Sequence, residues 1–368
     1  MTILFNVFLL VVFSLSMAHY SKAEEIYRGQ ESSETITEST SEKEGLEARL
    51  QTQSTSSQEI EKTQASKDGQ VYDAEKITDI FYALFGDPKD PHKKINHTKG
   101  FCASGEFIPA KGISNGIDIP LLREKRLEAT LRYSIGGGDP RASDKTKTRG
   151  LAIKLSGSKD AWEIVALNTE INFARDAREF GQFFEMMVPK NGIVDTALIK
   201  RRTNEVASYR NFAKYVDELG ISDSVANTAF HSVHTFFFRD SRGNMTPARF
   251  RLAPEAAAVY LDKYELKRLG DEFLEADFKK KVAKAPITYR LILIFANEND
   301  AVNDTTALWH GKHDELEIGA LRVMDYDGAE CNLNVFMPSV LPEGVGEPID
   351  PLFRVRNETY AVSFGRRQ

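Results

Sequence analysis

RLEATLRYS, residues 126–134, alternates along its whole length. Leu127, Ala129, Leu131 and Tyr133 fall on one side, and Arg126, Glu128, Thr130 and Arg132 on the other. Successive side chains of an extended chain point to opposite faces, so this stretch predicts a half-buried β-strand. Next come LAIKL (151–155) and WEIVAL (162–167), both short and rich in strand formers. A polar turn containing Gly157 separates them, which predicts a hairpin. Further along, HTFFFRD (234–240) and ARFRL (248–252) flank Gly243, and ITYRLILIFA (287–296) and ELEIGALRV (315–323) add two long strands.

Helices interrupt this series. Ala74, Ile77, Ile80, Phe81, Leu84 and Phe85 recur at helical spacing until Gly86 and Pro88 end the run. Phe180, Phe183, Phe184 and Met187 mark a second helix within 177–187; helices are expected over 193–219 and in the charged block 255–282. Hairpin strands mixed with helices predict an α+β domain on a mainly antiparallel sheet. So many strands favour closure into a β-barrel, which removes exposed edges.

The chain has 368 residues and a net charge of −6, with both signs mixed and no basic block, so nucleic acid is not an expected partner. Residues 1–23 carry an apolar run from Ile3 to Met17 followed by small residues, and read as a signal peptide. No Lys or Arg precedes Lys22, which leaves an uncleaved anchor as the alternative. Export to the periplasm or the medium is expected, with no membrane span after signal removal. Residues 24–70 are rich in Ser, Thr, Glu, Gln and Lys, bury little and read as a polar tether; the folded domain is expected over 71–368. Cys102 and Cys331 could pair in an oxidising compartment, but two buried free thiols are the favoured reading. Paired-cysteine motifs for zinc or for covalent cofactor attachment are absent.

Three patches carry the chemistry: HTKGFCASGEF (97–107), the span from Arg132 through Arg149-Gly150 to Asn168 and Phe180, and DPLFRVRNETY (350–360). Taken singly, each has an ordinary reading: a loop histidine, a strand serine, a core phenylalanine, a surface Arg–Tyr pair. Taken in order, they resemble the haem catalases, over about Tyr72 to the C-terminus. His97-x-Lys99-Gly100 with Gly105-x-Phe107 is similar to the distal histidine motif, and Leu131–Ser134 and Lys147–Lys154 to the strands that follow. Asp350, Arg356 and Tyr360 keep the spacing around the proximal tyrosine. The short catalase-related peroxidase branch is the best match.

That resemblance implies one haem b per chain, with Tyr360 as the axial iron ligand and Arg356, one helical turn away, donating to its phenolate. It implies His97 as distal acid–base group, Ser134 as its hydrogen-bond partner, and Phe180 stacked on the haem. Arg132, Lys94 and Arg367 would face the propionates, Lys94 standing where catalases usually carry arginine. Gly100 and Gly105 suit a tight backbone path around a flat cofactor. Catalases place a distal asparagine five residues after the tryptophan matched by Trp162; here that position is Leu167, and Asn168 follows. Either a bulge re-aims Asn168 or the distal amide is absent. Asn172 and Glu106 replace aromatics expected near the pocket, implying a more open, polar entrance. His231 and His234, in FHSVHTF, resemble the histidine-bearing strand behind the site in catalases and read as structural.

Catalases continue further beyond the proximal tyrosine, so the interlocked tetramer is not expected; a monomer or small homo-oligomer is. The activity implied is a haem peroxidase that reduces hydrogen or organic peroxides with a small organic donor. The alternatives are a genuine catalase, a fatty-acid hydroperoxide rearrangement as in catalase-like allene oxide synthases, and a haem carrier without turnover.

Overall fold

Alternation in the 126–134 stretch becomes strand β2 (Leu127–Ile135), the centre of an antiparallel meander. β1 (Gly100–Pro109) lies on one side of it, and β3 (Arg149–Ser156) and β4 (Ala161–Leu167) on the other. The computed structural model describes residues 70–368. The expected signal peptide, and all but the last residue of the expected tether, lie outside the described residues.

After β4 come helices α2 (Ala177–Glu185), α3 (Thr196–Glu205) and α4 (Ala207–Glu218). Strands resume with β5 (Phe230–His231), β6 (Phe236–Arg239) and β7 (Met245–Pro254). The block expected to be helical over 255–282 holds only α5 (Lys263–Arg268) and α6 (Leu274–Val282). Its first residues are drawn into extended contacts, with Tyr260 bridging Ser222. Then follow β8 (Ile287–Phe295), β9 (Glu315–Gly328), the short β10 (Val345–Gly346) and α7 (Pro351–Gly365). The helix expected at the front is α1 (Ala74–Phe85), capped by the Asp73 side chain on Lys76 N and stopped at Gly86.

β1, β2, β3, β4, β5, β7, β8 and β9 form a closed antiparallel barrel, because β7 also pairs with β8. No strand of this ring keeps a free edge, as the sequence predicts. The interior is filled by the apolar sides of the strands, among them Leu131, Tyr133, Ile153, Trp162, Phe250 and Leu291. Alternation puts Arg132, Ser134, Ala152 and Val165 on the opposite, outer face. That face is not left to water. α1 and α7 pack together through Ile77, Ile80, Phe81, Leu352 and Val355, and Phe180 and Phe184 of α2 join them. Among the described residues no helix is long and apolar enough to cross a membrane.

The cysteines correct the sequence expectation: Cys102 and Cys331 are joined in a disulfide, with Cα atoms 5.7 Å apart. Residues separated by 229 positions carry no local sign of proximity. The β1–β9 ladder creates it by placing Gly328 opposite Cys102, and a 3-10 turn, Glu330–Leu333, then brings Cys331 back over β1. Gly105 is a second correction. It sits where the β1–β9 register shifts, and a Cβ there would lie 2.0 Å from Arg322 O, so it serves strand packing rather than a cofactor. Glu106 is the third. It pairs with Arg322 at 2.8 Å across the same ladder and does not line the cavity.

Candidate active site

Between the outer face of β2–β4 and the layer formed by α1, α2 and α7 lies a cavity of about 860 Å³. His97, Arg132, Ser134, Phe180, Arg356, Tyr360, Lys94 and Arg367 all line it, drawn from positions up to 273 residues apart. Much of the remaining wall is apolar, with Phe81, Val165, Leu167, Phe173, Phe212 and Phe336 among its residues.

His97 precedes β1 in a left-handed backbone conformation, φ +49°. Such a conformation is uncommon for a side-chain-bearing residue and persists only where its surroundings hold it. The holding contacts are explicit. Asn96 Oδ1 accepts from His97 N at 2.9 Å, and Arg132 donates from Nη1 to His97 O at 2.9 Å and from Nη2 to Thr98 O at 3.1 Å. Gly100 makes room for this clamp, since a Cβ there would lie 2.3 Å from Tyr133 O and about 3 Å from the Arg132 guanidinium. Gly150 does the same for the imidazole, 3.1 Å from the ring.

His97 Nδ1 lies 3.0 Å from Ser134 Oγ, which reaches Gly150 O at 3.5 Å. With the hydroxyl donating to Gly150 O, it accepts from Nδ1–H, and Nε2 keeps its lone pair. Burial, with Arg132 and Arg356 adding repulsion, pushes the imidazole pKa down to about 3. His97 is therefore a neutral proton acceptor at ordinary pH.

On the opposite element, Arg356 Nη2 donates to Tyr360 Oη at 3.2 Å, one turn along α7. The chain of contacts continues behind it. Arg356 Nη1 donates to His234 Nε2 at 3.0 Å, and His234 Nδ1 donates to Asp350 Oδ2 at 2.8 Å. Burial holds His234 below the usual histidine range, and its neutral form suits both contacts. Asp350 also caps α7, its Oδ1 accepting from Leu352 N and Phe353 N. His234, read as structural from sequence, thus belongs to a line of contacts that ends on Tyr360. The resemblance set it on a strand behind the site, but its contact with Asp350, 116 residues away, is visible only in the fold. His231, on β5, lies outside the cavity lining.

Lys94, Arg132 and Arg367 all line the cavity, and among the described residues none lies within ion-pair distance of a carboxylate. Lys94 Nζ donates to Asn334 O at 2.9 Å, and Arg132 Nε to Asn332 Oδ1 at 2.8 Å. Burial, with repulsion from Arg132 and Arg367, lowers the Lys94 pKa to about 7, and burial lowers that of Arg132 to about 10. The C-terminus is held in place: Arg366 pairs with Asp79 at 2.7 Å and also with Glu75, both on α1. Phe180 lines the cavity stacked on Phe173, ring centres 5.3 Å apart.

Asn168 is the site residue that the structure corrects. No bulge re-aims it: the β3–β4 register runs regularly to Gly150↔Leu167. Its Oδ1 accepts from Arg149 N and its Nδ2 donates to Lys147 O, both at 2.7 Å. Leu167 lines the cavity and Asn168 does not, as strand alternation requires. Asn172 does line it, where an aromatic was expected. Asn168→Ala should therefore destabilise the fold by about 1–3 kcal/mol through two lost backbone contacts. Turnover per bound cofactor should be unchanged. Denaturant melts and turnover normalised to cofactor check this, and a loss of turnover at unchanged stability would contradict it.

The family model for catalase matches residues 82–367. The chain belongs to the catalase family. Its relatives include the catalase-related peroxidase of Synechococcus elongatus, 24% identical over 75% of this chain and 83% of the relative. The catalase-related peroxidase of Mycolicibacterium paratuberculosis is 22% identical over 74% of this chain and 88% of the relative. Similarity thus falls on the catalase-related peroxidase branch. Among solved structures, catalase A from Saccharomyces cerevisiae superposes with a TM-score of 0.67 at 18% identity, over 75% of this chain and 61% of that one. The chain spans about three fifths of the length of the solved catalases. At the coarse level of the family, the chain is an oxidoreductase acting on peroxide, and catalase-family proteins use haem.

The residues present fit that group. A haem is flat, largely apolar and anionic at one end, and the cavity offers an apolar wall with unneutralised cations. It also offers a phenol held by a guanidinium and, on another element, an imidazole with a free acceptor nitrogen.

Proposed function

We propose that the protein is a haem b peroxidase that reduces hydrogen or organic peroxides at the expense of a small organic donor. The observation that carries the choice over catalase is the Leu167–Asn168 arrangement. The amide that would position peroxide is consumed by the backbone of β3, and a leucine occupies the wall instead. At that position of the wall a second peroxide molecule, which a catalase must orient and oxidise, meets Leu167 rather than an amide. The apolar lining, which includes Ile199, Phe212 and Val216, supports an organic peroxide or donor.

Tyr360 would hold the iron of the haem, and Lys94, Arg132 and Arg367 would take its propionates. Bound there, haem supplies the redox chemistry that cleaves the peroxide O–O bond. The residues supply the rest. His97 Nε2 accepts the proton of one peroxide oxygen and returns it to the leaving oxygen. Ser134 fixes the tautomer through Nδ1. Arg356 holds the Tyr360 oxygen in place, its Nη2 donating to Oη at 3.2 Å. Export is part of the same proposal, and the Cys102–Cys331 disulfide supports it, since such bonds persist in oxidising compartments.

Purified protein loaded with haem tests the reading. Peroxide consumption that depends on an added donor dye, without oxygen release, is the expected result. Oxygen evolution without a donor would select catalase, and bound haem inert to every peroxide would select a carrier.

A pH prediction follows from Lys94. With a pKa near 7 in the free cavity, it is mostly neutral at pH 8. A carboxylate brought beside it favours the ammonium form, so binding takes up a proton, and affinity falls as pH rises above about 7. Calorimetric haem titrations at pH 8, in buffers of different ionisation enthalpy, should show this uptake, and Lys94→Met should remove it. No uptake by the native protein would refute the contact.

A further inference from the structure

The strap after β9 does more than close the barrel. Its 3-10 turn is fastened to β1 by the Cys102–Cys331 disulfide, and Cys331 N also donates to Cys102 Sγ at 3.0 Å. Phe336 packs on both cysteines and lines the cavity. The strap meets two of the three cations assigned above to the propionates. Asn332 Oδ1 accepts from Arg132 Nε at 2.8 Å, and Asn334 O accepts from Lys94 Nζ at 2.9 Å. The other two nitrogens of the Arg132 guanidinium hold the carbonyls of His97 and Thr98, beside the left-handed turn that aims the imidazole.

A guanidinium is a rigid planar fork, so fixing one edge fixes the others. Asn332 fixes the Nε edge, and the disulfide, one residue away, fixes Asn332. Arg132 is 4% exposed and reaches no carboxylate among the described residues. Without Asn332 it would keep only the two loop carbonyls, which are themselves held by it.

We propose that the Cys102–Cys331 disulfide and Asn332 form a positioning device for the active site. The disulfide seats the strap, Asn332 aims Arg132, and Arg132 holds both the His97 turn and the cationic end of the cavity. The inference rests on the haem reading above. Asn332 is a positioning residue that acts through Arg132, and it would belong to a shell whose removal typically weakens a site by about 10–100-fold.

The test compares full-length native protein with Asn332→Ala and with the paired Cys102→Ala/Cys331→Ala variant. Two quantities are read: the rate of haem loss to an excess of apomyoglobin, and the melting temperature of the haem-free protein. Asn332→Ala should lose haem at least about tenfold faster while the haem-free melting temperature stays within about 2 °C. Asn332→Ala should also slow the His97-dependent reaction with peroxide, and Asn332→Asp, which keeps an acceptor oxygen for Nε but gives Arg132 a carboxylate, should restore that rate and not the haem retention. The cysteine pair should show the same faster haem loss together with a lower melting temperature. A disulfide that is only a structural staple would lower the melting temperature of the pair and leave haem loss unchanged in both variants, which overturns the proposal. Should the cysteine pair fail to fold, Asn332→Ala still decides. Failure of native protein to take up haem would sink the haem reading and this proposal with it; native uptake with unchanged haem loss in Asn332→Ala sinks this proposal alone.

Discussion

Tyr360→Phe should abolish the tyrosinate-type ferric spectrum of the haem-loaded protein and weaken haem retention by on the order of 100-fold or more. The substitution removes one oxygen and leaves the ring, so the packing of α7 against the cavity is preserved. What goes is the atom on which a line of contacts converges: Asp350 to His234 at 2.8 Å, His234 to Arg356 at 3.0 Å, Arg356 to Tyr360 Oη at 3.2 Å. The guanidinium holds that oxygen in position, and the phenylalanine ring has nothing to offer the iron in its place. Arg356→Leu should act in the same direction more weakly, because the ligand atom remains. Absorption spectra and haem-transfer rates of the two variants decide the matter. A Tyr360→Phe protein with the native spectrum would show that the iron is held elsewhere.

For His97→Ala the opposite pattern is expected: haem uptake close to native, and a reaction with peroxide slowed by about 10²–10⁴-fold. The side chain lines the cavity from the β1 side and makes its one hydrogen bond to Ser134, so its loss leaves Tyr360 and the three cations in place. The sign of the pH dependence follows from burial and the nearby Arg132 and Arg356, which push the imidazole pKa down to about 3. The acceptor form is therefore present from pH 8 down through pH 5 and is lost only as pH approaches about 3. Stopped-flow rates with peroxide should show no inflection near 6.5, where an exposed histidine would protonate. An inflection there that persists in His97→Ala would assign proton transfer to another group.

Local patterns proved readable where a rule with short range governs them. Alternation at 126–134 announced β2, the spacing in 74–85 announced α1, and the four-residue step from Arg356 to Tyr360 placed both on one face of α7. The ordered motifs announced the family and set His97, Ser134, Arg132, Phe180, Lys94 and Arg367 around one cavity. Alternation also posed the question at Leu167 and Asn168, and only the regular register with β3 answered it, turning the amide away.

Three features had no such signature. The disulfide joins residues 229 apart through a ladder and a turn, and Cys102 by itself looks like any buried strand residue. His234 reaches Arg356 over 122 positions. Asn332 meets Arg132 across 200, in a strap with no motif. By itself, then, the sequence determined which segments are strands and helices, that the strands close and, through the resemblance its ordered motifs carry, which residues line one cavity. The first two follow from backbone periodicity, and the third from motifs carried within single segments. Tertiary structure alone decided which distant groups touch: the pairing of the cysteines, the line of contacts behind Tyr360, and the hold of the strap on Arg132. Such contacts depend on how whole elements pack, and packing is set by the sum of many side chains rather than by the few residues that meet.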